Sequence, residues 1–175
     1  MSPKKLAHPP KKKHHNRPRK IPIAPLTDEH REKMSDQEFR KALSLAKEAE
    51  IVSKLGSVPS ACIHSAYFAM EHCACAAILR YGGVGAERSF PRRHQDIILH
   101  IERLTAEEVG DMRGFGDSLK EVYLLREAAD YFVSRDPTNE DASFAVGRMQ
   151  KYLNATRAKW KFLGPNELTV DSGHD

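Results

Sequence analysis

Residues 60–81 read SACIHSAYFAMEHCACAAILRY, and this stretch decides the fold. At helical period it is apolar around most of its circumference, with His64, Ser65, Glu71 and His72 set into it. A helix of that kind must be covered on several sides, so it belongs at the centre of a helical bundle or in a subunit interface. The polar residues on it then need partners, because an unpaired polar group costs most where water is excluded. Small side chains at Ala61, Cys62, Ser65, Ala66, Ala69, Cys73, Ala74, Cys75, Ala76 and Ala77 let neighbouring helices approach closely, which suits a tight core and a symmetric dimer seam.

Working outward, helical periodicity recurs from Ser35 onward, and there is no strand-like alternation and no internal repeat. The fold class expected is all-α, an up-and-down bundle of about five helices. A first helix over 36–55 presents Phe39, Ala42, Leu43, Ala46, Ala49 and Ile51 on one face, with Ser35 or Asp36 as its cap and Gly56 as its end. The central helix starts at Pro59, a residue suited to a first helical turn, and stops before Gly82, Gly83 and Gly85. A third helix is predicted over 92–104. Thr105 and Glu108 have capping-box spacing for a short helix to about Met112. A fourth helix spans 117–133, and a fifth runs from an Asn139 cap to about Phe162, anchored by Phe144, Met149, Tyr152, Leu153 and Trp160. The domain reading is a disordered basic tail over 1–34, a bundle over 35–163 and a frayed tail over 164–175.

Charge separates the tail from the bundle. Residues 1–26 hold eight Lys or Arg, six Pro and no acid, whereas residues 27–175 carry 20 basic and 24 acidic side chains. The bundle is therefore slightly acidic although the chain as a whole is +4. A basic, Pro-rich segment with little apolar surface cannot offset its ordering entropy and is expected to be disordered. Lys11, Lys12, Lys13, Arg17, Arg19 and Lys20 can neutralise nucleic-acid phosphates without reading sequence, or the segment can be a solubilising extension. No apolar run follows these charges as a secretory signal requires, and the longest uninterrupted apolar run, 73–79, is too short to span a bilayer. The cysteines, Cys62, Cys73 and Cys75, all fall on the central helix, with the last two about 200° apart around it, so they cannot bridge. A reduced, soluble, cytoplasmic protein without membrane contact is expected.

Few residues offer chemistry. His64, Phe68, Glu71 and Cys75 share one stripe of the central helix, so His64 and Glu71 are placed to touch as an acid/base pair, or to meet polar groups of a neighbouring helix. His72 and Cys75, with His94 or His64, have a spacing that permits metal ligation but lack the second ligand pair that zinc sites show; no metal and no cofactor is expected. Arg126 and Asp130 stand at i, i+4 with Tyr123 and Tyr131 nearby: either an exposed ion pair or a guanidinium held for bidentate contact with phosphate. ERSFPRRH, residues 87–94, sets Arg88, Arg92, Arg93 and His94 at the start of the third helix, an arrangement that suits an anion or is simply a solvated cluster.

Three segments in order resemble the HEPN superfamily of small prokaryotic all-α bundles. AYFAMEH, residues 66–72, is similar to that family's A-Y-[YF]-A-[MF]-x-H helix, LREAADY, residues 125–131, to its R-x-x-x-D-Y helix, and RRHQDII, residues 92–98, to the basic-His segment between them. The resemblance covers roughly 36–162. It implies a four- or five-helix bundle that forms a homodimer with the Arg-bearing helix facing a cleft, and a minimal nucleotidyltransferase as partner in a toxin-antitoxin-like pair. Many members are metal-independent RNases that use an R-x(4-6)-H motif. Here Tyr131, Phe132 and Val133 follow Arg126 where the histidine would fall, and the only later histidine is His174. The resemblance therefore implies the non-catalytic branch, binding nucleotide, RNA or the partner protein. In it Arg126 contacts phosphate, Asp130 orients Arg126, Tyr131 and Tyr67 stack or hydrogen-bond, and Arg92, Arg93 and His94 add attraction. The alternatives are an RNase whose acid/base group beside Arg126 comes from His64, His72 or His94, and a purely structural interaction protein.

Overall fold

The polar sequence TDEHREKMS, residues 27–35, is the first surprise of the computed structural model, because it is helical. Thr27 caps the first helix, its Oγ1 accepting from the His30 backbone N–H at 3.2 Å, and Asp28 and Glu29 follow in the first turn where the helix dipole favours them. Helix α1 accordingly spans Asp28–Leu55, beginning eight residues before the expected Asp36, and residues 28–34 belong to a helix rather than to a disordered tail. Ser35 does not cap. It is fully buried in mid-helix, and its hydroxyl donates to the Ala76 carbonyl at 2.8 Å.

The structure describes residues 27–82, 93–106, 114–131 and 136–162, and the expected roles of the basic tail and of 164–175 lie outside them. Among the described residues there are five helices and no strand. Helix α2 is Pro59–Tyr81, α3 His94–Ala106, α4 Phe115–Tyr131 and α5 Asn139–Trp160. The all-α bundle expected from the sequence is the fold observed.

Helix α2 packs against all four of the others. By length and composition it could cross a membrane, yet 83% of its most apolar window is buried inside the bundle. Its small residues do what their size allows: Ala66, Ala69, Cys73, Ala74, Ala76 and Ala77 have no exposed surface, and neighbouring backbones close over them. The Cys62 thiol donates to the Ala49 carbonyl of α1 at 3.4 Å.

Element ends show the remaining differences. Thr138, not Asn139, caps α5, forming a reciprocal capping box with Asp141. Thr105 does not open a new helix; it lies in the last turn of α3 and its hydroxyl returns to the Ile101 carbonyl at 2.8 Å, while 107–113 lie outside the described residues. Phe144 is not an anchor of α5, being 44% exposed, whereas Met149, Tyr152, Leu153 and Trp160 are buried. The end of α5 is fixed by rings: Phe162 stacks on Phe39 at 4.4 Å, and Trp160 lies 5.4 Å from Phe115.

Candidate functional site

Helices α2 and α4 lie side by side, and His64 and Phe68 of α2 meet the Arg126–Asp130 pair of α4 there. Arg126 Nε is 2.8 Å from Asp130 Oδ2, one helical turn on. Its N–H does not point along that line, so the contact is ionic rather than a directed hydrogen bond. The guanidinium carbon lies 5.8 Å from the Phe68 ring centre and 5.6 Å from that of Tyr131, so aromatic faces flank it. The side chain is only 13% exposed, while Tyr131 is 69% exposed. An arginine held by a carboxylate and two rings keeps its charge and little freedom, which suits contact with a planar or tetrahedral oxyanion.

His64 reaches the same carboxylate. Its Nδ1 is 3.7 Å from Asp130 Oδ2 and its ring is 4.6 Å from Phe68. The expected His64–Glu71 contact is not made. Two helical turns along α2, Glu71 faces inward, and its Oε2 accepts from the Tyr67 hydroxyl and from His94 Nδ1 at the start of α3. Tyr67 Oη and His94 Nδ1 are themselves 2.9 Å apart. Tyr67 is fully buried and so is not available to stack on a ligand, contrary to expectation. Burial, and after it the Glu71 carboxylate, pushes its hydroxyl well above the ordinary tyrosine range, so Tyr67 keeps its proton and acts as a donor. Tyr123 on α4 closes the cluster, 5.6 Å from the Tyr67 ring and 5.5 Å from the His94 ring. Its hydroxyl donates to Glu127 at 2.5 Å, and that bond foremost holds the phenol above its usual range.

His72 is elsewhere. It faces α1, where its Nδ1 is 2.5 Å from Glu38 Oε2, so it is not brought beside Arg126. Arg93 is exposed and its carbonyl receives the Asp96 and Ile97 N–H groups that open α3; Arg92 lies outside the described residues. Among the described residues no three His, Cys, Asp or Glu side chains gather as metal ligands.

The structure thus joins Arg126, Asp130, Tyr131 and His64 in one partly open cluster, sets His94 beside it across Phe68 at 6.2 Å, and buries Tyr67 beneath. The sequence reading missed Phe68 as the ring under Arg126 and Glu71 as the anchor of His94. The Tyr67–Glu71 spacing of i, i+4 was visible, but the arrival of His94 from another helix was not.

The model of the HEPN domain matches residues 36–159. This chain belongs to the HEPN family. The match takes in all of α2, α3 and α4, the helices that build the cluster, and begins eight residues inside α1. No curated protein matches the chain. In this HEPN domain, the segment after Arg126 reads Glu127, Ala128, Ala129, Asp130 and Tyr131, and the imidazole that reaches the carboxylate of Asp130 is that of His64 on α2.

Proposed function

We propose that this HEPN domain is a non-catalytic module that binds nucleotide or RNA through phosphate at Arg126, working beside a partner nucleotidyltransferase in a toxin-antitoxin-like pair. The observation that carries the reading is the largely buried guanidinium, held 2.8 Å from Asp130 and flanked by Phe68 and Tyr131. Its charge is fixed, its position is fixed, and Tyr131 stands exposed beside it as a surface for a base. Tyr131, Phe132 and Val133 stand where an R-x(4-6)-H imidazole would fall, and the group that holds Arg126 is the Asp130 carboxylate, which does not serve as a donor to a leaving oxygen. The exposed leucines Leu99 on α3 and Leu124 on α4 suit the homodimer that this reading includes.

A second reading is an RNase in which His64 supplies the acid/base group. It is favoured by one observation, the 3.7 Å approach of His64 to the carboxylate that also holds Arg126. The two readings part in one experiment. Labelled single-stranded RNA is incubated in EDTA with the protein, with Arg126→Ala and with His64→Ala, and run on native and denaturing gels. The binding module gives a native shift that Arg126→Ala weakens by about tenfold or more, with intact RNA throughout. Cleavage that disappears in both variants installs the RNase, and undiminished affinity in Arg126→Ala removes the phosphate role altogether.

A further inference from the structure

The Tyr67–Glu71–His94 cluster is built with more care than attraction to phosphate requires. A carboxylate oxygen has no proton to give, so the bond between Glu71 Oε2 and His94 Nδ1 is donated by Nδ1–H. The Tyr67 proton is committed to Glu71, so toward His94 the tyrosine oxygen, 2.9 Å away, can only accept. Both neighbours therefore call for a proton on the same nitrogen. Glu71 and Tyr67 are 9% and 0% exposed, which fixes them in place, while the His94 side chain is 34% exposed. A neutral imidazole protonated on Nδ1 carries its lone pair on Nε2, the ring nitrogen that neither Glu71 nor Tyr67 engages.

What faces this acceptor follows from its neighbour. His94 and Arg126 flank the same phenyl ring, 6.2 Å and 5.8 Å from the centre of Phe68. Because both adjoin Phe68, a nucleotide whose phosphate sits on Arg126 has its sugar within one ring's breadth of reaching toward His94 when it lies along Phe68. We infer that Glu71 and Tyr67 are positioning residues that present His94 Nε2 as a fixed acceptor for a ribose 2′-hydroxyl, so that the bundle distinguishes RNA from DNA. Arg126 and the basic tail cannot make that distinction, because both nucleic acids carry the same phosphates, whereas the 2′-hydroxyl is the group that separates them. The inference rests on the binding function proposed above.

Two measurements on the full chain test it. Long-range proton–nitrogen NMR spectra of the free, ¹⁵N-labelled protein, taken where His94 is neutral, should show the Nδ1–H tautomer, and Glu71→Gln should lose that bias because an amide can donate as well as accept. An Nε2–H tautomer in the unsubstituted protein overturns the inference with no ligand involved. Fluorescence anisotropy then compares one labelled oligonucleotide in ribo and deoxyribo forms, at raised salt to weaken the tail's phosphate contacts. The ribo form should bind about tenfold more tightly, the worth of one hydrogen bond, and His94→Ala, with its helical signal checked against the unsubstituted protein, should abolish that preference by bringing the ribo form down to the affinity of the deoxyribo form. Equal ribo and deoxyribo affinities that still depend on Arg126 remove the sugar contact and leave the phosphate reading standing. Binding of neither form removes both.

Discussion

Asp130 stands between two bases: its Oδ2 is 2.8 Å from Arg126 Nε on its own helix and 3.7 Å from His64 Nδ1 on the helix alongside. The carboxylate thereby ties α4 to α2 at the edge where Phe68 and Tyr131 flank the guanidinium. If the fork of Arg126 is what meets phosphate, charge alone should not replace it. Arg126→Lys is expected to keep the fold and the salt dependence of RNA binding yet recover only part of the affinity lost in Arg126→Ala, because an ammonium cannot bond bidentately. Full recovery in anisotropy titrations would show that a point charge suffices.

The link between His72 and Glu38 makes an acid-sensitive clasp between α2 and α1. The bond from His72, ahead of the Lys41 contacts, holds the Glu38 carboxyl below its ordinary value of 4.5 despite partial burial. A depressed carboxylate stabilises the fold above its unfolded pKa, and that contribution is lost as pH falls through the folded value. His72→Ala should therefore lower the urea midpoint at neutral pH, with the wild-type and variant curves converging on acidification below about pH 4.5. Parallel curves across that range would assign the pair no share of the acid sensitivity.

The three thiols of α2 provide a check on the core. Burial pushes Cys73 up to about 12 and raises Cys62 and Cys75 above the usual thiol range, so little thiolate exists to react. A thiol reagent such as DTNB is expected to modify the native protein slowly, with labelling that accelerates with urea alongside loss of helical signal. Rapid labelling of any one cysteine without urea would mean that α2 is less covered than its packing indicates.

The order of the helices and the centrality of α2 were legible because both rest on periodicity and side-chain size within single segments. The start of α1 was not, since TDEHREKMS has no apolar stripe and its helix is set by the Thr27 cap and by burial of Ser35 against Ala76, a contact from another helix. The candidate site divides the same way. Arg126 and Asp130 could be paired from their i, i+4 spacing, whereas Glu71 looked like a partner for His64 until the return of α3 placed His94 against it. Contacts along one helix are written in the spacing; contacts between helices depend on where the chain comes back.

Gly56 allows the turn from α1 into α2 to be tested separately from packing. It closes α1 at φ +63°, in the left-handed region, and a Cβ added there would have no atom within 4 Å. Substitution therefore meets backbone strain and no clash, and its neighbours Leu55 and Val58 are exposed, so no buried contact changes with it. Gly56→Ala should destabilise the protein by about 1 kcal/mol, lowering Tm by roughly 3 °C, through the left-handed cost for a residue with a Cβ. Gly56→Asn should lose less, because asparagine visits this region more readily. Thermal unfolding of the three proteins decides the matter: an alanine variant as stable as the original would mean that the α1–α2 turn relaxes to another conformation, and α1 and α2 would then not depend on this angle for the close approach that covers the small residues of α2.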